Sequence, residues 1–213
     1  MQCVTDLVND PEVNGILVQL PLPSHINEEK VLELVGKEKD VDGLHPANVA
    51  DLVMRGKEPR FYPCTPYGCL HLIKTFVPDL TGLRAAVIGR SNIVGLPMFL
   101  LLQRENATVT LCHSKTKDID KILKECDIVV AAIGQREFVK GEWLKEGCIV
   151  IDVGIHVVED KIKRIGRRYF GDVHTPSAEN VAKYITPVPG GVGPMTIAML
   201  MNNTVKSWKL TNF

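Results

Sequence analysis

The stretch that most constrains the fold runs from Arg84 to Pro97, with the sequence RAAVIGRSNIVGLP. Its apolar run ends in Gly89, which predicts a buried strand that enters a turn. Pro97 suits the first turn of a helix, where the missing N–H group is not needed. Such a unit gathers free N–H groups and a positive helix end, which favours phosphate binding. The Gly-x-Ser-x-x-x-Gly spacing differs from Gly-x-Gly-x-x-Gly, so an ordinary strand-to-helix turn stays open as the alternative.

After this unit, apolar runs alternate with helical segments. Strands are predicted at residues 84–89, 108–112, 127–133 and 148–153, and helices at 97–105 and 118–125. This alternation is typical of a doubly wound parallel sheet, an α/β Rossmann-like domain.

The last third of the chain contains three further predicted elements. Residues 157–168 are basic and are interpreted as a surface ribbon with Glu159 and Asp160 at its turn, and residues 171–173 as a short strand. A final helix is predicted from Met195 to about Lys209. Its apolar face carries Ile197, Leu200, Met201 and Val205.

The part of the chain before residue 84 contains one convincing strand, residues 15–20, beside helices predicted at 2–10, 27–36 and 65–76. A lone parallel strand leaves both edges unpaired, so we expect pairing with another chain or a first domain whose opening is missing from this sequence. Gln19 lies inside this apolar run, where an unpaired amide costs about 2 kcal/mol or more. Its partner is either a substrate or a neighbouring loop.

Charge and cysteine content narrow the function classes. The chain has 25 basic and 25 acidic residues and a formal net charge of zero, which argues against a nucleic-acid surface. We find no signal peptide and no apolar run of membrane length. The six cysteines form no Cys-x-x-Cys pair, which predicts reduced thiols in a cytosolic or similarly reducing compartment and no metal site.

The loop after the second predicted strand favours NADP over NAD. An NAD site places an acidic residue near the end of this strand, to bind the ribose 2′-hydroxyl. Here the sequence continues His113-Ser114-Lys115-Thr116 without an acid, and Arg90 lies in the glycine turn. These donors suit a 2′-phosphate. A solvated loop that is merely basic is the alternative.

Two further loops have a composition that suits ligands. Residues 189–194, PGGVGP, combine glycines that allow close approach with prolines that hold the backbone still, although a purely structural connection stays open. Residues 39–46 hold two carboxylates, Asp40 and Asp42, on either side of one valine. Such a pair can accept N–H donors of a heterocycle, and it can equally be an ordinary turn.

Five blocks in order resemble the methylenetetrahydrofolate dehydrogenase/cyclohydrolase family. They are residues 15–23 (GILVQLPLP), 39–43 (KDVDG), 63–68 (PCTPYG), 89–95 (GRSNIVG) and 186–196 (TPVPGGVGPMT). The resemblance implies a folate-binding domain and an NADP-binding domain that face each other across a cleft. It also implies oxidation of 5,10-methylenetetrahydrofolate by hydride transfer to NADP⁺, followed by hydrolysis of the methenyl product to 10-formyltetrahydrofolate.

The resemblance also implies roles for single residues. Gln19 lies beside the reacting carbon and Asp42 binds the pterin, and these two form the catalytic set. The substrate-binding set adds Val18, Leu20, Pro189, Gly190, Gly191, Val192 and Gly193. The cofactor-binding set is Thr65, Gly89, Arg90, Ser91, His113, Ser114 and Ile155.

The predicted domains are residues 1–80, an incomplete α/β folate-binding domain; 81–185, the NADP domain; and 186–213, a folate-lining loop and a helix that completes the first domain. The resemblance further implies a homodimer and a cytoplasmic location, with a mitochondrial one left open.

One departure from the family affects catalysis. The family's Tyr-x-x-x-Lys motif, whose lysine is the main catalytic group, does not occur in this sequence. Poor or absent turnover by this chain is therefore expected. A non-catalytic NADP- and folate-binding module and an oxidoreductase acting on an amino or hydroxy acid are the alternatives.

Overall fold

A computed structural model describes residues 1–160 and 166–213. The chain divides into two compact units, one made of Met1–Cys64 with Ile197–Phe213 and the other of Thr65–Thr196. These boundaries differ from those predicted at residues 80 and 185. The reason is that helix α4, Cys64–Phe76, packs with the second unit, where the Lys74 ammonium lies 2.6 Å from the Glu105 carboxylate.

The second unit contains a five-stranded parallel sheet, which confirms the Rossmann-like prediction. The strand order is β2-β1-β3-β4-β7. The strands are β1 Arg84–Ile88, β2 Thr108–Cys112, β3 Ile128–Ala131, β4 Ile149–Asp152 and β7 Tyr184–Ile185. Four helices accompany α4 and the sheet: α5 Gly95–Arg104, α6 Ile119–Leu123, α7 Thr175–Ala178 and a 3₁₀ turn at Gly141–Trp143.

The central strands form because they are apolar along their whole length. Every residue of β3 and β4 is buried, as are the last four residues of β1, so both faces of the sheet are covered. Strand β2 is less buried because it lies at the edge of the sheet. From β1 the chain goes outward to β2 and then returns to β3 on the other side of β1. The strand order therefore reverses between β1 and β3, where open α/β sheets bind ligands.

A second, antiparallel sheet consists of β5, His156–Glu159, and β6, Arg167–Phe170. It corresponds to the predicted basic ribbon, although residues 161–165 of that ribbon lie outside the described residues. The strand predicted at residues 171–173 is wrong. Val173 makes only an isolated bridge with Val139, because the N–H groups of Asp172 and Val173 donate to a side-chain carboxylate instead of a neighbouring strand.

The first unit is helical, with α1 Gln2–Asn9, α2 Glu28–Val35 and α3 Pro46–Val53. The predicted cap of α2 is confirmed, since the Asn27 side chain accepts a hydrogen bond from the Lys30 N–H group. Helix α3 was not predicted, because His45-Pro46 suggests a loop; Pro46 in fact opens the helix and His45 Nδ1 accepts from the Ala47 N–H group at 3.1 Å.

The strand predicted at residues 15–20 is also wrong. Ile16 makes an isolated parallel bridge with Asp40, and the described residues of this unit supply no strand to extend it. Ile16 is buried, whereas Leu17 and Gln19 are exposed. A strand needs backbone hydrogen bonds from a neighbouring strand, and an apolar run cannot supply these by itself. Without such a neighbour, residues 15–20 have no strand pairing beyond the one bridge.

Helix α8, Val192–Asn212, begins three residues before the predicted start and does not bury the predicted apolar face. Ile197 and Met201 are 63% and 58% exposed. The buried positions are polar: Asn203 donates to the carbonyls of Val41 at 2.9 Å and Tyr62 at 3.0 Å, and Ser207 donates to the carbonyl of Asn14. This helix is therefore held in the first unit by hydrogen bonds to loop carbonyls.

Among the described helices, α8 included, none combines the length and the apolar character that crossing a bilayer requires. The six cysteines are free, and five of them are buried.

Replacing Asn203 by Leu is expected to destabilise the first unit. The leucine fills a similar volume but removes the amide that donates to the Val41 and Tyr62 carbonyls, at a cost of about 2 kcal/mol or more. For a chain of this size the unfolding midpoint should fall by about 5 °C in scanning calorimetry. Asn202→Leu is the matched control, because Asn202 is exposed on the same helix. Equal midpoints for the two variants would contradict this role of Asn203.

Candidate functional site

The glycine turn lies at the carboxyl end of β1, at the point where the strand order reverses. Gly89 has φ +112°, and a Cβ atom there would lie 2.0 Å from the Ala132 carbonyl oxygen. A Cβ atom on Gly95 would lie 2.1 Å from the Gly89 carbonyl oxygen. Both positions therefore require glycine. Ser91, at the position of the usual middle glycine, accepts the N–H groups of Val94 and Gly95 at 3.2 and 3.3 Å, which closes the turn before α5.

The basic loop after β2 lies next to this turn. The Gly89 N–H group donates to the Cys112 carbonyl at 2.9 Å, which brings the turn and the loop to one edge of the sheet. His113 fixes the loop through two hydrogen bonds. Its ring Nδ1 accepts from the backbone N–H group of Lys115 at 3.1 Å, and its own backbone N–H group donates to the Thr116 hydroxyl at 2.9 Å. Ser114 and Arg90 are left exposed at this edge.

These donors fit the phosphate groups of a dinucleotide. The turn allows close backbone approach, and α5 begins beside it. The loop supplies a hydroxyl, an imidazole and an ammonium without a carboxylate between His113 and Lys117. A phosphate ester on the ribose meets complementary charge here, whereas the acid that would bind a free 2′-hydroxyl is absent from the loop.

A cavity of about 430 Å³ lies in the same unit. It brings together all six residues of the loop 189–194 with Thr65, Ile155 and the end of β4. Thr65 is fixed by a 3.0 Å hydrogen bond between its hydroxyl and that of Thr196. The predicted residues in the lining are Thr65, Ile155, Pro189, Gly190, Gly191, Val192 and Gly193.

Beside this cavity, two buried carboxylates hold the loops that follow the strands. Asp152, at the end of β4, is 2% exposed. Its oxygens accept the N–H groups of Gly154 at 3.0 Å, Asp172 at 2.8 Å and Val173 at 2.9 Å. Burial raises the pKa of Asp152 to about 6; the three N–H groups oppose the shift, and the neighbouring charge of Asp172 adds to it.

Asp172 is fully buried and accepts three hydrogen bonds of its own. One oxygen receives the N–H groups of Ile133 at 2.7 Å and Gly134 at 2.9 Å, in the loop after β3. The other lies 2.8 Å from His156 Nε2. Because a carboxylate oxygen accepts, Nε2 carries the hydrogen. We call Asp152, Asp172 and His156 the carboxylate clamp.

Sequence reasoning missed the carboxylate clamp. The available signal was an aspartate inside the apolar run of residues 148–153, together with an aspartate directly after Gly171. A buried carboxylate needs partners in the same way as the amide of Gln19, and an argument from that need would have pointed to both residues.

In the first unit, the structure separates the two aspartates of the predicted pair. Asp40 is buried and accepts from the N–H groups of Leu44 at 3.0 Å and His45 at 2.8 Å and from the Asn48 amide at 2.7 Å. It therefore organises its own loop. Asp42 is half-buried; burial raises its pKa, and a hydrogen bond with the Cys64 thiol opposes the shift.

The backbone around Asp42 is held closely. Gly43 has φ +74°, and a Cβ atom there would lie 2.5 Å from the Tyr62 carbonyl carbon. Asn203 donates to the Val41 carbonyl directly before Asp42. The carboxylate thus has a fixed position, and it retains lone pairs that can accept N–H donors of a ligand.

Gln19 is exposed, and its amide donates to the Leu20 carbonyl at 3.1 Å. The prediction that it is buried within a strand is wrong, since that strand does not form. The bridge between Ile16 and Asp40 is parallel. The segment that continues from it to residues 18–20 therefore sets out in the same direction as the segment that continues to Asp42. In the part of the chain that the structure describes, no group of three or more His, Cys, Asp or Glu side chains is arranged to hold a metal ion.

The parallel sheet, the glycine turn at its reversal point and the adjacent basic loop define a dinucleotide-binding protein class. Residues 63–212 match the tetrahydrofolate dehydrogenase/cyclohydrolase NAD(P)-binding domain, and residues 1–42 match the catalytic domain of the same family. The chain belongs to the tetrahydrofolate dehydrogenase/cyclohydrolase family.

Relatives agree with this assignment. The chain is 54% identical over 209 residues to the chloroplastic bifunctional protein FolD 4 of Arabidopsis thaliana and 56% identical over 206 residues to FolD 2 of that plant. It covers 58% of the first and 69% of the second, with 98% and 97% of its own length aligned.

Among solved structures, it is similar to the methylenetetrahydrofolate dehydrogenase-cyclohydrolase of Trypanosoma brucei complexed with NADP and an inhibitor. The TM-score is 0.92 at 44% identity, over 98% of this chain and 71% of the other.

The raised pKa of Asp152 predicts a pH dependence of stability. Well below pH 3.8 the carboxyl is protonated in both states. Between the ordinary value of 3.8 and the folded value of about 6, the folded chain holds the proton more tightly, so stability falls as pH rises. The loss is on the order of 3 kcal/mol.

Urea unfolding between pH 4 and 7 measures this effect. Asp152→Asn should flatten the decline, whatever its effect on overall stability. Asp120→Asn, on the exposed side of α6, should leave the decline as it is in the unmodified chain. A decline of the same steepness in Asp152→Asn would contradict the assignment.

Proposed function

We propose that this chain serves the NADP-dependent oxidation of 5,10-methylenetetrahydrofolate to 5,10-methenyltetrahydrofolate and its hydrolysis to 10-formyltetrahydrofolate, a part of one-carbon metabolism that feeds purine biosynthesis. The observation that carries this proposal is the cavity of the second unit, where Ile155 and the loop of residues 189–193 meet beside the dinucleotide turn. The name of the similar Trypanosoma brucei protein, a methylenetetrahydrofolate dehydrogenase-cyclohydrolase complexed with NADP, supports the same reactions.

NADP⁺ supplies the hydride acceptor when it is bound. Gly89 and Ser91 hold its pyrophosphate, and Arg90 of the same turn joins His113 and Ser114 at the 2′-phosphate. Because the His113 Nδ1 atom is engaged within the loop, its Nε2 atom is the ring donor that can face a phosphate oxygen. Ile155 and Thr65 line the cavity that takes the nicotinamide end, and Pro189 to Gly193, in the same lining, are the proposed folate contacts of the second unit.

Asp42 and Gln19 are the proposed folate contacts of the first unit. The Asp42 carboxylate accepts N–H donors of the pterin ring, and the nearby Asn203 and Cys64 hold its backbone and side chain. Gln19 has an exposed amide that can both donate and accept beside the reacting carbon. Val18 and Leu20 flank it.

Turnover needs one group that this sequence does not contain. The 213 residues include no Tyr-x-x-x-Lys motif, and family resemblance gives the lysine the task of polarising the substrate and managing the proton of the hydrolytic step. We infer that this chain by itself binds NADP and converts folate poorly or not at all. The second candidate function, a binding module without catalysis, rests on the same observation.

Cofactor preference is tested by fluorescence titration with NADPH and NADH. The chain should bind NADPH more tightly, because Arg90 and the loop at His113 receive the additional phosphate. Arg90→Ala should weaken NADPH binding about tenfold and leave NADH binding within a factor of about three, as expected for one lost charged contact. Arg55→Ala, an exposed arginine of the first unit, is the control of equal charge. Equal affinity for both nucleotides would contradict the NADP assignment.

Catalysis is tested in the same preparation by adding 5,10-methylenetetrahydrofolate and NADP⁺ and following the methenyl product spectroscopically. We expect no product from this chain, and product from a chain extended at its N-terminus by a family segment that contains Tyr-x-x-x-Lys. Failure of both chains would contradict the enzymatic proposal, and rapid turnover by the shorter chain would contradict the need for the lysine.

A homodimer is proposed from the two-stranded sheet of β5 and β6. Within the described residues neither outer edge of this sheet pairs with another strand, and Val157 and Val158 are 54% and 38% exposed. Two strands alone are marginally stable in water, and open edges favour pairing with a second copy.

Sedimentation should show a dimer for the unmodified chain and a monomer for Val157→Lys, while Glu146→Lys, on an exposed turn, stays dimeric. A dimer that persists in Val157→Lys would place the interface elsewhere.

The compartment is proposed to be cytoplasmic. Five buried free thiols are in accord with a reducing compartment. Relatives carry names that place them in the chloroplast, the mitochondrion and the cytoplasm, so fluorescence microscopy of the tagged gene product is the deciding measurement.

A further inference from the structure

Ile155 has an unusual environment for a large apolar residue. It is 62% exposed and lines the cavity of the second unit. Its two neighbours in the chain, Gly154 and His156, are both hydrogen-bonded to the buried carboxylates. On one side the Gly154 N–H group donates to Asp152, and on the other the His156 ring donates to Asp172. These hydrogen bonds restrain the backbone on both sides of residue 155. The Ile155 side chain is therefore held at the cavity by the conformation of its neighbours.

We propose that the carboxylate clamp is a positioning device, in which His156 holds Ile155 as one wall of the pocket for the nicotinamide half of the cofactor. The inference rests on the proposed NADP function and adds residues to which no binding role has been assigned above. None of the three needs to touch the cofactor: they act through the backbone of Gly154, Ile155 and His156.

The clamp joins the loops on both sides of this pocket wall. Asp172 binds the loop after β3 through Ile133 and Gly134, and Asp152 binds the loop after β4 through Gly154. The Asp172 N–H group donates to Asp152 and thereby connects the two carboxylates. A displacement of either loop would break hydrogen bonds to a buried charge, which is costly.

Close packing removes the space for an alternative arrangement. A Cβ atom on Gly154 would lie 2.3 Å from Asp172 Oδ1, and one on Gly171 would lie 1.8 Å from Asp152 Oδ2. The chain therefore runs directly over both carboxylates. Buried ionic groups are often replaceable by apolar residues without loss of stability, so their main contribution is a specified conformation.

His156 is the member of the clamp that can be changed with least effect on the core. Of the six hydrogen bonds that the described residues donate to the two carboxylates, five come from backbone N–H groups, and His156 provides the sixth from a side chain that is 24% exposed. His156 also opens strand β5, so its ring connects the wall at Ile155 to the antiparallel sheet.

The test compares two ligands that share the adenosine half. NADPH fills both halves of the site, whereas 2′,5′-ADP contacts only the phosphate and adenosine part near Arg90 and Ser114. Binding is measured by calorimetry for both and by fluorescence for NADPH, with the chain as it stands, so no turnover is required. The variants are His156→Ala, which removes the donor, and His156→Gln, whose amide N–H reaches a similar position. Glu159→Ala, exposed on the same strand, is the matched control.

We expect His156→Ala to bind NADPH about tenfold more weakly and 2′,5′-ADP with unchanged affinity, and His156→Gln to regain most of the loss. Unchanged NADPH binding in His156→Ala would overturn the inference. Equal weakening of both ligands, without recovery in His156→Gln, would also overturn it, since it would show a general structural role. Failure of the unmodified chain to bind either ligand would instead overturn the proposed NADP function, and with it this inference.

Discussion

The fixed geometry of the second unit depends on the desolvation of two carboxylates. Asp152 and Asp172 lie at the carboxyl edge of the sheet with almost no access to water, where an ionised group needs hydrogen-bond donors. Each carboxylate accepts three hydrogen bonds from described residues, and five of these six come from the backbone. The loops after β3 and β4 consequently have one conformation each, although loops at this edge of a sheet are otherwise free to vary.

The first unit uses the same principle with different groups. Asp40 collects donors from its own loop, and Asn203 donates from a helix to two loop carbonyls. In both units the buried polar side chains satisfy backbone groups that no strand or helix pairs. The apolar core accounts for compactness, while these polar contacts determine which loop conformation is adopted.

The sequence was sufficient for four of the five strands of the second unit's sheet, because buried parallel strands are continuous apolar runs between glycines. The fifth strand, β7, was not predicted, since its two residues are too few to show a pattern. The same signal failed at residues 15–20, since an apolar run does not reveal whether a neighbouring strand exists. Helix α8 was found from its period, but its buried face was not: the apolar stripe through Ile197 and Met201 is exposed, and Asn203 and Ser207 are covered. Periodicity identifies a stripe, whereas burial depends on what the rest of the chain places against it.

The site divides in a similar way. The placement of Gly89, Arg90 and the loop at His113 at one edge of the sheet was predictable, because it follows from local residue types at local spacing, and their phosphate contacts stay a prediction. The clamp was not, because Asp152 and Asp172 are 20 positions apart and become partners only through the fold.

The contact between Gly171 and Asp152 also limits which amino-acid substitutions this chain can accept during evolution. A methyl group at Gly171 has no room while the longer side chain stands at position 152, and a shorter side chain there leaves backbone donors unfilled. The same holds for Gly154 and Asp172. Each glycine is thus tied to an aspartate in the other's loop, and single substitutions at these four positions are expected to be harmful unless the partner changes as well. We therefore expect these four residues to be kept together or replaced together.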